Sequence, residues 1–441
     1  MRVLAPASAA PSAQWYETAA LGMFIHWGIS SVRAVGDLSW CMIKNTPYDA
    51  ELNNKNKLTP EDYWDQADEF APQKYDPDVW MKAARDAGFR YAVLTTRHHD
   101  GYALWPSEFG DLSTKTHMGG RDLIKPFVEA CRNNDMKVGF YYSPGDWYRE
   151  RHRRSFGYAD EPLGLRHEPI ELPQWDPSSG MPQQEWVTNE KKKRDEEDGP
   201  YVVGQMEELL TQYGDLDVFW YDGGSAMTNE RVRELQPSVM INDRGHGEGS
   251  GDFSTFECRY EKLEVKRPQR PFEFCTTTID QYDHNVTKYL GAPSWGHVEG
   301  ANFRSLALML EELVLVSAWG GNYLLNFGPD RDGEMPPPAL NTLSEMAAWM
   351  KHSGDSVQGT YGGSWPEDTN VPITEREGVS YLHFLPDFKT AAEVKAGSSP
   401  KSIRLMRTGE TLPGDVADGV LRVNVPQEAR TELPDAVEVT W

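Results

Sequence analysis

The sequence predicts an α/β fold, an irregular (β/α)8 TIM-like barrel over residues 1–350 followed by a small all-β sandwich over 351–441. Three observations predict it. Eight short apolar, partly β-branched runs recur along the first three quarters of the chain. Stretches with apolar residues at three- and four-residue spacing lie between several of them. From about residue 356 the texture changes to short apolar–polar alternation broken by glycine and proline turns.

The strand candidates begin with "LGMFIHWG" (21–28), "YAVLTTRHH" (91–99), "KVGFYYS" (137–143) and "LDVFWYD" (216–222). "VMINDR" (239–244), "DFSTFE" (252–257), "PFEFCTT" (271–277) and "NYLLNFGP" (322–329) complete the set. Of the helical stretches, "PDVWMKAARDAG" ends in a glycine suited to a C-cap. "RDLIKPFVEACRNND" and "YVVGQMEELLTQYG" carry amphipathic spacing, and "SLALMLEELVLVSAWGG" is apolar nearly all round, as a buried helix would be. Residues 239–278 hold three strand candidates and no convincing helix, so the barrel is expected to be irregular there. Residues 149–200, rich in charge and proline, read as a long solvated loop or as a flap over the site. "SYLHFL", "KSIRLM", "LRVNV" and "AVEVTW" supply the strands of the sandwich.

Length and composition fit this layout: 441 residues suit a large barrel with a small partner, and 39% hydrophobic residues suffice for its core. A formal charge of −24 disfavours nucleic acid and anionic membrane surfaces as partners. No run approaches the length of a transmembrane helix. Cys41, Cys131, Cys258 and Cys275 show no C-x-x-C spacing, and free thiols are expected rather than a Cys258–Cys275 bridge. "MRVLAPASAAPSAQWY" lacks the apolar stretch of a signal peptide. A cytoplasmic protein is therefore expected, or a secreted or periplasmic one if a leader has been trimmed. The sequence leaves homo-oligomerisation open.

Chemistry in such barrels sits where strands end. Placed there, facing one mouth, are His26, His98-His99-Asp100, Tyr141-Tyr142, Trp220-Tyr221-Asp222 with two glycines behind it, Arg244, and Glu257; Glu273 lies early in its strand. Paired carboxylates among histidines, tyrosines and tryptophans suit glycoside hydrolysis. One carboxylate would act as nucleophile and one as acid/base, while the histidines and Arg244 bond hydroxyls and the tryptophans pack on a sugar's C–H face. Metal-dependent hydrolysis is a weaker alternative, since neighbouring strand residues point to opposite sides and His98 and His99 would not share an ion. No H-E-x-x-H is present, and no metal or cofactor is expected. A non-catalytic sugar-binding protein is the third reading; it would lack one of the carboxylates.

Eight segments together resemble the α-L-fucosidases of glycoside hydrolase family 29. They are "LGMFIHWGISSV", "TTRHHDGYALWPS", "VGFYYSPGDWY", "LDVFWYDGG", "INDRG", "GDFSTFE", "PFEFCTTTID" and "NYLLNFGPDRDGEMP". They run in the family's order across residues 15–340. The resemblance implies a barrel with a C-terminal β-sandwich and an exo-acting, retaining hydrolase that frees terminal α-L-fucose from fucosylated oligosaccharides or glycoconjugates. It implies Asp222 as nucleophile, with His26, His98, His99, Tyr141, Trp220 and Arg244 at fucose-binding positions. Glu257 is the first choice for acid/base and Glu273 the second. The family's Glu-Trp pair after the first strand corresponds best to Ser39-Trp40, with Trp40 as the sugar contact and Asp37 as a substitute for the glutamate or the contact altered. "NDRG" lacks the tryptophan that follows the arginine in the family. Tyr102 and Trp105 are expected to pack the loop that holds the histidines.

Overall fold

The computed structural model describes residues 13–35, 37–42, 58–151, 175–258, 268–279 and 294–441, with two short strands at 282–283 and 288–289. Seven of the barrel strands are β1 Leu21–Ile25, β2 Tyr91–Arg97, β3 Lys137–Tyr142, β4 Val218–Tyr221, β5 Met240–Ile241, β6 Ser254–Glu257 and β7 Phe272–Thr277. A two-stranded pair, β8 Tyr282–Asp283 and β9 Lys288–Tyr289, precedes the eighth, β10 Asn322–Phe327. All eight run parallel in the order β5-β4-β3-β2-β1-β10-β7-β6, which is a curled, barrel-like sheet. Between β5 and β6 the ladder shrinks to one bridge, Asn242 with Phe253. A side chain supplements it: the Asp252 carboxylate accepts from the Ile241 N–H at 2.9 Å and from Arg233 at 2.6 Å.

The main helices are α1 Pro77–Asp86, α2 Ile124–Asn133, α3 Gln183–Gln212, α4 Asn229–Leu235, α5 Leu306–Ala318 and α6 Pro337–Ser353. Local chemistry sets their starts. Asp76 accepts from the Asp78 N–H before Pro77 opens α1, Thr228 accepts from Arg231 N–H at α4, and Ser305 accepts from Leu308 N–H at α5. Their buried side chains pack into the core, as with Trp80, Met81 and Ala84 of α1 and Phe127, Val128 and Cys131 of α2. Each such large apolar side chain contributes roughly 1.5–3 kcal/mol. No helix stands between β5 and β6, where residues 242–253 are turns, as the sequence suggested.

Two differences from expectation have simple causes. Within the long loop expected over 149–200, residues 183–200 form the first half of α3. "QQEWVTNEKKKRDEEDG" has no apolar stripe, so its helical period leaves no hydrophobic signature. The alternation within strands also divides the tyrosines. Tyr141 points inward, whereas Tyr142 points out to Gln205 on α3 and Tyr221 points out to the carbonyl of Met227.

Phe24, Tyr91, Val93, Tyr141, Val218, Trp220, Phe253, Cys275 and Leu324 fill the barrel, with Tyr16 beneath them. α6 runs to Ser353, and the all-β part begins at β11 Tyr361–Gly362. Next come β12 Ile373–Arg376, β13 Val379–Phe384, β14 Ala392–Lys395, β15 Ser402–Leu405, β16 Gly414–Ala417, β17 Val420–Val423 and β18 Asp435–Thr440. They form a five-stranded sheet, β11-β12-β13-β18-β15, and a three-stranded one, β14-β17-β16, around Leu382, Val394, Leu421 and Val437. Trp349 of α6 ties the two parts by donating to the Pro434 carbonyl at 2.9 Å. No described helix is long and apolar enough to cross a membrane.

Candidate active site

The polar residues that end the strands converge on the mouth of the barrel. Asp222 follows β4, with its N–H on the Tyr142 carbonyl, and Arg244 lies three residues past β5. Glu257 closes β6. One guanidinium joins them: Arg244 donates to Asp222 Oδ1 at 2.6 Å and to Glu257 Oε2 at 2.7 Å. Its underside rests on the Trp220 ring at 4.9 Å, and Tyr141 stacks on the same indole at 5.4 Å. Tyr141 in turn donates to Asp222 Oδ2 at 2.5 Å.

Burial alone would push the Asp222 carboxyl up. Arg244, His99 and the Tyr141 hydroxyl overcome it and hold the group well below the ordinary carboxylate range, so it is an anion throughout the neutral range. Arg244, held above its usual value by the two carboxylates against the effect of burial, is permanently charged. Glu257 is the more open carboxylate, its side chain 34% exposed against 16% for Asp222, which leaves it a path for exchanging protons with solvent.

Among the histidines, a sequence expectation fails. β2 ends at Arg97, after a register shift at Thr95–Arg97, so His98 and His99 lie beyond the strand and its alternation no longer applies. Both rings enter the mouth, 4.3 Å apart, and with Asp222 they bring ligand-type atoms within 4.8 Å of one another. The three groups could therefore approach a cation together. Against that, Arg244 already supplies the positive charge on Asp222. His99 Nδ1 lies 2.6 Å from Ser143 Oγ, its Nε2 lies 3.4 Å from Asp222, and its ring stacks on Trp147. Ser39 Oγ meets His98 Nδ1 at 3.3 Å. Burial holds His98 and His99 below the usual histidine range. Arg97 is fully buried and anchors the loop after β3, donating to the Ser143 and Pro144 carbonyls, Asp146, Tyr201 and Gln205.

His26, His98, His99, Tyr141, Trp220, Asp222, Arg244 and Glu257 are thus brought together. Trp40 stands at the rim, edge-on to Trp147 at 5.0 Å and to His99 at 5.9 Å. Glu273 does not join them. It sits at the opposite end of the barrel interior, fully buried, accepting from Trp220 Nε1 (2.9 Å), Tyr91 (2.5 Å) and Tyr16 (3.2 Å). Asp37 turns inward as well, onto the Trp295 N–H at 2.9 Å, and burial raises it to about 8; Ser39 rather than Asp37 faces the histidines. Asp100 caps its own turn through the Tyr102 N–H and the Tyr63 hydroxyl. Tyr102 and Trp105 are buried packing residues, and Trp105 donates to Glu208. The four cysteines are free thiols.

The glycines at the site have separate reasons. Gly223 adopts φ +111°, a conformation L residues avoid. A Cβ on Gly245 would come within 2.7 Å of the Tyr221 ring, so a tryptophan after Arg244 would have to displace that ring. Sequence reasoning missed Asn326, Trp295 and Ser143. An asparagine inside "NYLLNFGP" was the available signal, because a polar side chain within a fully buried strand must find partners.

A profile of the Alpha-L-fucosidase family matches residues 4–355. Tissue alpha-L-fucosidase of Mus musculus is 25% identical over 98% of this chain and 91% of its own. Plasma alpha-L-fucosidase of Homo sapiens is 28% identical over 95% and 87%. Among solved structures, alpha-L-fucosidase isoenzyme 1 from Paenibacillus thiaminolyticus superposes with a TM-score of 0.72 at 28% identity, covering 98% of both chains. A GH29 alpha-L-fucosidase from Bacteroides thetaiotaomicron, trapped as a covalent intermediate, shares the fold with a TM-score of 0.75 at 21% identity, covering 98% of this chain and 96% of that one. The barrel, its C-terminal sandwich and the match across most of the chain make this protein a member of the α-L-fucosidase family, glycoside hydrolase family 29.

Proposed function

We propose that the protein is an exo-acting, retaining α-L-fucosidase that releases terminal α-L-fucose from fucosylated oligosaccharides or glycoconjugates. The observation that carries this reading is the Asp222–Arg244–Glu257 bridge. One guanidinium donates to both carboxylates, which supports the short separation, about 5–5.5 Å, that double displacement requires. Asp222, kept anionic, attacks the anomeric carbon as the glycosidic C–O bond breaks, and Glu257, having taken up a proton from solvent, passes it to the departing oxygen. Glu257 then takes a proton from water, whose oxygen attacks the same carbon and expels Asp222, leaving α-fucose. The histidines, Tyr141 and Arg244 bond the sugar's hydroxyls, Trp220 supports Arg244 from below, and Trp40 borders the pocket.

A panel of α-1,2-, α-1,3-, α-1,4- and α-1,6-fucosylated oligosaccharides, with released fucose followed by proton NMR, tests the proposal. α-Fucose should appear before mutarotation. Release of β-fucose first would rule out the double displacement, and no release from any member would leave a binding protein. The His98–His99–Asp222 grouping favours one competing reading, a metal-dependent hydrolase. Activity lost on exhaustive chelation and restored by zinc would favour it over the proposal.

A further inference from the structure

His26 is buried at the end of β1, and one hydrogen bond to its ring is formed among the described residues: Nδ1 lies 2.7 Å from Asn326 Oδ1. The other end of that amide, Nδ2, donates to the backbone carbonyl of Trp295 at 2.7 Å. A backbone carbonyl only accepts. Turning the amide over would set two acceptor oxygens face to face, so Trp295 fixes which end of Asn326 meets the histidine. The remaining end is an oxygen, and an oxygen facing Nδ1 requires the proton to be on Nδ1. The Trp295 segment is itself held, through its N–H on Asp37 and its ring 5.0 Å from that of His26.

We infer that Asn326 is a positioning residue that selects the Nδ1–H tautomer of His26, so that Nε2 meets the sugar as a hydrogen-bond acceptor and demands a donating hydroxyl there. The inference rests on the fucosidase reading for the word sugar, but not for the tautomer. Burial drives His26 down to about 3, which keeps the ring neutral and Nε2 unprotonated. The charged groups acting on it are Asp222, which favours protonation, and Arg244, which opposes it, together with any charge on His99, which also opposes it. His99 makes a useful contrast. Its Nε2 lies beside an anion, Asp222, which accepts only, and its Nδ1 faces the Ser143 hydroxyl, whose one proton also has the Gly145 carbonyl as an acceptor.

The test is 15N NMR of histidine rings in the full-length protein, with His26 assigned by the signals missing from His26→Gln. The expected result is a neutral Nδ1–H ring from pH 8 down to about pH 5. A neutral Nε2–H ring would overturn the inference, whether or not the enzyme cleaves any fucoside. Asn326→Asp gives a second measurement and a second route to assignment should His26→Gln fail to fold. An ionised carboxylate on Nδ1 favours imidazolium, so the His26 signals should move toward the protonated form, turning Nε2 into a donor. kcat/KM on an aryl α-L-fucoside should fall about 10–100-fold, with KM carrying much of the loss. Unchanged His26 signals and unchanged KM in Asn326→Asp would also overturn it. If the tautomer is as expected and no fucoside is cleaved, the functional reading fails and the assignment stands.

Discussion

Asp222 and Glu273 are both carboxylates inside one barrel, and both are tied to the stacked Tyr141–Trp220 pair, yet their surroundings drive them in opposite directions. Asp222, at the mouth, touches a guanidinium and stays charged. Glu273, at the floor, touches neutral donors only. Its burial outweighs the hydrogen bonds from Tyr91, Trp220 and Tyr16 and raises it to about 7. A full charge nearby therefore does what several neutral dipoles do not. Trp220 belongs to both environments, with its ring under Arg244 and its N–H on Glu273, so the floor reaches the mouth by holding that indole in place.

Four experiments can break or sharpen the contrast. Asp222→Asn should lose about 10⁴-fold or more in kcat on any fucoside while keeping the fold, the scale seen when a nucleophile is removed. Circular dichroism alongside the assay checks both halves, and near-wild-type turnover would remove Asp222 from the mechanism. Glu257→Ala should cost about 10²–10⁴-fold on an alkyl fucoside and far less on an aryl fucoside with a very good leaving group, with azide restoring turnover as fucosyl azide. If Glu273→Ala gave that pattern instead, the floor carboxylate would be the acid/base despite its distance from the mouth.

Glu273→Leu removes the acceptor from Trp220 and the two tyrosines. A loss of about 1–3 kcal/mol in a urea titration is expected, with activity falling by a similar factor on good and poor leaving groups. The smallest effect concerns pH. Because the folded-state pKa of Glu273 is raised, it favours folding below the unfolded value of about 4.3, and that contribution is lost as pH rises toward about 7. Asp222 has the opposite sign: it favours folding above about 3.9 and loses that contribution as pH falls further. Relative to Glu273→Gln, the wild type should therefore lose melting temperature between about pH 4.5 and pH 7. A constant difference would mean that Glu273 does not titrate there.

Much of this was legible in the sequence, for identifiable reasons. Apolar runs such as "YAVLTT" and "LDVFWY" must be buried strands, and Asp222 and Glu257 follow from where those runs stop. The direction of side chains after a strand's last residue was not legible. Alternation puts His98 and His99 on opposite faces, but the chain has already left the strand at Arg97. The first half of α3 escaped because a solvated helix carries no apolar period. Asn326, Ser143 and Trp295 escaped because their importance lies in what they touch across long separations of chain, and such pairings are not written in local pattern.

The thin junction between β5 and β6 has a mechanical meaning. A barrel is a hoop, and this hoop has a clasp: one backbone bridge, the Asp252 side chain, and at the rim the ionic link from Arg244 to Glu257. Fewer ladder bonds need to break to part the strands there than at the other staves. Parting them would pull Arg244 away from Glu257, so the same short stretch closes the ring and sets the distance between two of its charged groups. A sugar that engages both should tighten the clasp. Amide hydrogen exchange across residues 240–257 should then slow on binding a fucose-shaped inhibitor, while the already fully laddered β1–β2 side changes little.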